Sequence, residues 1–254
     1  MAEPLLTIEH LTKEFDGNTV LDDLSFTVHQ GEVIVVVGSS GCGKSTLLRC
    51  INALEPIQGG TVELLGEKII YGSKTLAKQR QQIGMVFQSY DLFPHLNVID
   101  NISLAPVKVQ KRNKSEVREE AMELLRRVGL EDKAMSYPRQ LSGGQKQRVA
   151  IVRALCMHPV LLLFDEVTAA LDPEMVREVL DVMLGLAQQG RTMIIVTHEM
   201  HFARAIADRV LFIDKGKIVE DTDPDTFFEH PNTERAKQFL NIFNFERSKH
   251  NENN

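Results

Sequence analysis

The sequence predicts an α/β fold: a parallel sheet covered by helices, joined to an N-terminal antiparallel β subdomain and interrupted by an inserted helical subdomain. Three observations carry this expectation. Short apolar runs rich in Val and Ile alternate with amphipathic stretches, the pattern of strands buried on both faces with helices laid over them. The first part of the chain and segment 61–71 break instead into short strand-like pieces with turn signals at Asp16-Gly17 and Gly59-Gly60. Residues 92–157 contain helical stretches and no good strand.

In chain order, Val33–Val37 reads as a buried strand because it is short, β-branched and followed by glycines, and Thr46–Leu54 reads as a helix. Ile83–Phe87 is the next strand. Within the insertion the clearest helices are 115–128 and 144–157. Strands are then expected at Val160–Phe164, Met193–Thr197 and Arg209–Ile213, with helices over 174–187 and 199–207 between them. The whole is read as one domain, residues 1–244. Its core and β subdomain come from 1–91 and 158–244 and its helical subdomain from 92–157; the polar tail 245–254 is expected to fray.

With 29 basic and 35 acidic side chains, the 254-residue chain has a net charge of −6, and 43% of it is apolar. That is enough apolar material for a real core and excludes general disorder. A mildly acidic chain has no global attraction to phosphate backbones or anionic lipid, so nucleic acid is not an expected partner. The longest purely aliphatic runs, Val33–Val37 and Val160–Leu163, fall far short of the ~20 residues that span a bilayer, and the charged N-terminus lacks an apolar signal region. A cytoplasmic location is expected. Cys42, Cys50 and Cys156 form no C-x-x-C and read as free thiols in a reducing compartment, with redox sensing by Cys42 as the alternative.

Gly38-Ser39-Ser40-Gly41-Cys42-Gly43-Lys44-Ser45 fits G-x-x-x-x-G-K-[ST] and lies between a predicted strand and a predicted helix, the context a P-loop requires. Glycines allow successive backbone N–H groups to converge on phosphate oxygens, and the helix N-terminus adds the positive end of its dipole. Lys44 would reach the β- and γ-phosphates, and the Ser45 hydroxyl is placed for Mg²⁺. The run Val160–Phe164 ends in Asp165-Glu166. Asp165 at that strand end would hold the Mg²⁺ shell, and Glu166 would polarise the attacking water as general base. Together the two motifs point to nucleotide hydrolysis.

Leu141-Ser142-Gly143-Gly144-Gln145, directly before the helix 146–157, matches verbatim the signature of the ATP-binding cassette (ABC) ATPases. The other motifs resemble that family in order. Phe15 matches the aromatic that stacks on adenine, more often Tyr. Gln88, ending Met85-Val86-Phe87-Gln88, matches the glutamine that senses the γ-phosphate and Mg²⁺. Ala170-Leu171-Asp172 matches the D-loop, and His198 the switch histidine. The resemblance spans residues 5–243 and implies a RecA-like P-loop NTPase core. It also implies ATP and Mg²⁺ as ligands, with nucleotide bound by Phe15, Gly38–Thr46, Gln88 and Asp165. Ser45, Gln88 and Asp165 would hold the metal, and Lys44, Gln88, Glu166 and His198 would act in catalysis. Ser142, Gly143, Gly144, Gln145 and Asp172 would act in trans on the nucleotide of a second ATPase subunit, taken to be an identical copy. In physical terms the signature is a second anion cradle, a serine and two glycines exposing N–H donors at a helix N-terminus.

Two departures from the family pattern are visible: Val167 stands where Pro is usual and Ala169 where Ser is usual, which implies a changed rate rather than a dead enzyme. His198-Glu199-Met200-His201 has the wrong spacing for a zinc protease, and Asn113-Lys114-Ser115-Glu116 lacks the Asp of a guanine-specificity motif. Phe93-Pro94-His95-Leu96, Tyr137-Pro138-Arg139-Gln140, Asp172-Pro173-Glu174 and Thr197-His198-Glu199-Met200 resemble polar amino acid importers of the glutamine and arginine type. That resemblance implies separate integral membrane permease subunits on the inner face of the cell membrane and, indirectly, a substrate-binding protein. The segment Ser89–Leu96, with Tyr90, Leu92 and Phe93, either packs inside the helical subdomain or receives a helix from a membrane subunit. A cytosolic non-transport ABC ATPase and an importer of another small solute are the alternatives. A long coiled-coil insertion or a second cassette would mark the former, and this chain has neither.

Overall fold

The computed structural model describes residues 3–242. The expected fraying tail 245–254 lies outside the described residues. In chain order the elements are β1 (Leu6–Phe15), β2 (Asn18–Val28), β3 (Val33–Gly38), α1 (Lys44–Ile51), β4 (Gly59–Leu64), β5 (Glu67–Lys68), α2 (Leu76–Arg80), β6 (Ile83–Val86), α3 (Val98–Lys108), α4 (Lys114–Arg127) and α5 (Gly143–Leu155). There follow β7 (Leu161–Asp165), α6 (Pro173–Gln188), β8 (Met193–Val196), α7 (Met200–Ile206), β9 (Arg209–Asp214), β10 (Lys217–Thr222), α8 (Pro224–Glu229) and α9 (Glu234–Asn241).

Two sheets result. β2-β1-β4-β5 is antiparallel, and β10-β9-β3-β8-β7-β6 is parallel except for its β9–β10 edge hairpin. β3 shows why its run of β-branched residues carries no polar alternation. Ile34 and Val36 face a core shared with α1 and the antiparallel sheet, while Val33, Val35 and Val37 face the core under α5, α6 and α7. Between β6 and β7, which are neighbours in the sheet, the chain makes only helices. These have their own core of Val98, Ile102, Val117, Leu125, Val149 and Val152. Asn113, the first residue of the rejected guanine motif, is the N-cap of α4 and accepts from the N–H groups of Ser115 and Glu116.

One expected turn is not a turn. Asp16-Gly17 closes the β1–β2 hairpin with positive φ at both residues, but Gly59 and Gly60 open β4 itself. Gly60 lies at φ +80° where a β-carbon would come within 2.3 Å of the Glu9 and His10 carbonyls, so glycine here allows β4 to run against a bulge in β1. The turn falls instead at Leu65-Gly66. β10, α8 and α9 have no counterpart in the expected elements, and α3 runs through Pro106, which obscures it as a helix.

Candidate functional site

Because β3, β8, β7 and β6 run parallel and lie side by side, their C-terminal ends form a row along one sheet edge. Each end releases a loop carrying expected site residues: Gly38–Gly43 after β3, His198 after β8, Asp165 and Glu166 at β7, and Gln88 after β6. Ligand sites in open parallel sheets form at such edges, where loops diverge and backbone groups are left unpaired.

The P-loop geometry depends on its glycines. Gly38, Gly41 and Gly43 have φ of 155°, 77° and 104°. A β-carbon at Gly38 would lie 2.1 Å from the Ile213 carbonyl oxygen, and one at Gly43 would meet Leu21 and Val20 of β2. The loop is thus clamped between β9 and the antiparallel sheet, while Ser40 and Gly41 are exposed at its crest. α1 has Gly43 as its N-cap and so no side-chain cap, which leaves its first N–H groups directed into the loop. Lys44 is buried, and its Nζ donates to the carbonyls of Gly38 (3.0 Å) and Ser39 (2.9 Å). Thr46 is half-buried in the first turn of α1.

Ser45 Oγ donates to Asp165 Oδ1 at 2.6 Å, joining P-loop and β7 across 120 positions of sequence. Burial pushes the Asp165 carboxyl up, against the Ser45 hydrogen bond and with help from neighbouring Glu166. An acid whose value is raised on folding contributes stability below its ordinary range and loses that contribution as pH rises through the raised value. Asp165→Asn should therefore raise the Tm of the nucleotide-free protein at neutral pH, with the difference shrinking as the pH is lowered. A Tm unchanged or reduced at pH 7 in thermal denaturation would contradict this.

Glu166 occupies φ 47°, a left-handed position uncommon for a side chain of its size, and its N–H donates to the Val196 carbonyl of β8. That turn brings Glu166 Oε1 to 3.0 Å from His198 Nε2. Gln88 is exposed beyond β6. Of the three expected metal ligands, then, the structure joins Ser45 and Asp165 and leaves Gln88 two strands from the P-loop strand's neighbour β8. Oxygen donors from a hydroxyl and a carboxylate suit a hard cation such as Mg²⁺. Phe15, at the end of β1, is 40% exposed.

The signature turn lies in separate surroundings. Ser142 caps α5 reciprocally with Gln145: the Gln145 N–H donates to Ser142 Oγ, and the Ser142 N–H to Gln145 Oε1. Gly143 and Gly144 allow Leu171, Tyr90 and Met175 to approach within distances a β-carbon would violate. The expectation of freely exposed donors is corrected here. The Gly144 N–H already meets Met175 Sδ at 3.4 Å and that of Gln145 is taken by Ser142, because the glycines serve α6 packing as well as openness. Asp172 is the exposed N-cap residue of α6, without a side-chain cap bond, and its neighbours Val167 and Ala169 are respectively buried and exposed. Val167 fills the core above β7, which accounts for a branched apolar residue there.

Three contacts add residues that motif reading missed. Arg235 of α9 donates to both Asp214 oxygens at 2.9 Å and to Ser39 Oγ at 3.3 Å, bracing the P-loop from the C-terminal end of the chain. Fully buried Gln147 of α5 donates to the Phe87 carbonyl, tying the signature helix to the segment bearing Gln88. Lys13 stacks on Phe15. Its only signal in the sequence is its place on the inward-facing register of β1 after Leu11. The reactive-thiol alternative for Cys42 is not supported. All three cysteines are buried, burial pushes the Cys42 thiol up despite Lys44, and it pushes Cys50 and Cys156 to about 12.

The segment after Gln88 divides between its two readings. Tyr90 and Leu92 turn inward, Leu92 against the cores beneath α5. Phe93 is 42% exposed and borders a groove of about 490 Å³ with Arg80, Met85, Leu104, Ala105 and Met157. Asn101 holds the Phe93 backbone from α3, and Arg153 holds the Asp91 and Tyr90 carbonyls from α5.

A family model described as ABC transporter matches residues 21–169. The chain is 57% identical to the glutamate transport ATP-binding protein GluA of Corynebacterium efficiens over 236 residues, 93% of this chain and 98% of that one. It is 53% identical to the arginine transport ATP-binding protein ArtM of Bacillus subtilis over the same shares of the two chains. Among solved structures, the dimeric post-hydrolysis state of the ATP-binding cassette MJ0796, bound to ADP and Pi, superposes with a TM-score of 0.77 at 31% identity, covering 86% of this chain and 98% of that one. The chain belongs to the ABC transporter family, as one of its ATPases.

Proposed function

We propose that this ATPase powers uptake of polar amino acids through separate membrane permease subunits, working as a pair of identical cassettes. The observation that carries the catalytic part is the Ser45–Asp165 bond beside the Glu166–His198 pair, on three adjacent strand ends. ATP would lie with its phosphates in the loop Gly38–Thr46. Lys44 would turn from the Gly38 and Ser39 carbonyls toward the β- and γ-phosphates, and the N–H groups at the start of α1 would complete the cradle. Ser45 and Asp165, with Gln88 moving in, would hold Mg²⁺, which when bound neutralises charge on the phosphate oxygens. Glu166 would accept the proton of the attacking water, and a proton on His198 Nε2 would hold that carboxylate in place. The 3.0 Å contact between Glu166 and His198 supports this assignment.

One cradle leaves a side of the γ-phosphate open to water, and phosphoryl transfer depends on positioning and charge stabilisation. Closure would come from Ser142–Gln145 and Asp172 of the second copy, with Met175 releasing the Gly144 N–H as the phosphate arrives; thioether sulfur is a weak acceptor and is easily displaced. The dimeric MJ0796 structure supports the pairing, and the transport names of GluA and ArtM support an amino acid cargo. Among the described residues no helix is long and apolar enough to cross a membrane. The groove beside Phe93 would take an apolar helix of a permease subunit, and Gln147 would pass its movement to the Gln88 segment. Purification of the tagged protein from detergent-solubilised membranes should recover an integral membrane permease. Recovery of ribosomes or DNA-processing proteins alone would defeat the transport reading.

A further inference from the structure

Lys13 is 3% exposed, an unusual place for an ammonium on a strand that otherwise buries leucine and isoleucine. Its charge is matched on three sides. Nζ donates to the Pro56 carbonyl at 2.8 Å, lies 3.3 Å from Glu55 Oε2, and sits 4.2 Å from the centroid of the Phe15 ring. An apolar side chain would fill the same space without the cost of desolvating a cation, so packing alone does not call for lysine here. Phe15, whose ring Lys13 covers on one face, is 40% exposed as a residue.

The anchor points matter as much as the ring. Glu55 and Pro56 lie just past the C-terminal end of α1, whose N-terminus forms the phosphate cradle, and the Glu55 N–H donates back to the Arg49 carbonyl of α1. The end of β1 is fastened to the same segment twice more, by Glu14 N–H to Gln58 Oε1 (2.8 Å) and Gln58 N–H to the Thr12 carbonyl (2.9 Å). Phe15 is thereby held at a set separation from the P-loop helix, although the Asp16-Gly17 turn beyond it is exposed.

We propose that Lys13 is a positioning residue for nucleobase recognition: it fixes the Phe15 ring from behind, relative to α1, and makes its outer face a better platform for a purine. This rests on the reading of Phe15 as the base-stacking residue. A cation against one face draws π density toward itself, so the opposite face repels an electron-rich heteroaromatic ring less and stacks on it more strongly. A purine, with the larger π surface, gains more from this than a pyrimidine. Because the phosphates are common to both, a change in the ratio of ATP to CTP affinity isolates the base from any attraction between Lys13 and phosphate.

The test is calorimetric titration of the full chain with ATP and with CTP in the presence of Mg²⁺. Lys13→Met should lower the preference for ATP over CTP by about 3- to 10-fold. Lys13→Gln, which keeps a donor for the Pro56 carbonyl but no charge, should lower it likewise, and serves if the methionine variant does not fold. Lys13→Arg should retain the preference, and in a Phe15→Ala background Lys13→Met should change it no further. Equal weakening of both nucleotides, or no change in either, would make Lys13 a strut only and overturn the proposal. A Phe15→Ala protein with unaltered preference would instead overturn the stacking reading beneath it.

Discussion

Glu166→Gln should bind ATP as the parent protein does and hydrolyse it about 10²- to 10⁴-fold more slowly, the range by which a positioned general base accelerates proton transfer. The substitution preserves the shape of the side chain and leaves an amide oxygen for His198 Nε2, now 3.0 Å from the carboxylate. What it removes is the capacity to take a proton from water. The left-handed turn at φ 47° that aims residue 166 is a backbone property and survives the exchange. With binding intact and the opening reaction blocked, the ATP-held pair of cassettes should accumulate, so gel filtration with ATP and Mg²⁺ should shift the variant from monomer to dimer. A variant that stays strictly monomeric and turns over at the parental rate would refute both the base assignment and the closure between copies.

Lys44→Ala should weaken ATP binding by about two orders of magnitude, since hydrogen bonds to charged groups contribute roughly 1.5–3 kcal/mol each. A second effect adds to the first. In the nucleotide-free protein the buried ammonium also donates to the Gly38 and Ser39 carbonyls, so its removal takes one donor from each, leaves Ser39 with the Cys42 N–H, and loosens the loop that the glycines shape. Equilibrium titration with a fluorescent ATP analogue checks this, and unchanged binding would overturn the assignment of the cradle. Together the two variants would separate the proposed roles of the strand ends, occupancy for Lys44 and turnover for Glu166.

The bracing of the P-loop is held in long-range contacts. Ser39 is met by Arg235 and Ser45 by Asp165, 196 and 120 positions away. Such links place the ends of β3 and β7 and the start of α9 in one rigid group, which suits a site whose work is positioning rather than covalent chemistry.

Contiguous signals were sufficient for the α/β class and for the strand and helix either side of the phosphate loop, because turn chemistry, β-branching and glycine placement act over a few neighbouring residues; the proposed site residues were named from the same local motifs. Boundaries shifted by up to three positions at most elements, as at α1, which ends at Ile51 rather than Leu54. Gly59-Gly60 misled, since a glycine pair reads as a turn when its real task is the close approach of β4 to β1. What no local pattern could reveal is who stands next to whom. The pairing of β7 with β8 sets Glu166 against His198, the packing of α6 brings Met175 to the Gly144 N–H, and the path of the chain after α1 carries Glu55 and Pro56 to Lys13. These depend on strand order and on how layers stack, and only the folded chain brings residues so far apart in sequence within reach of a hydrogen bond.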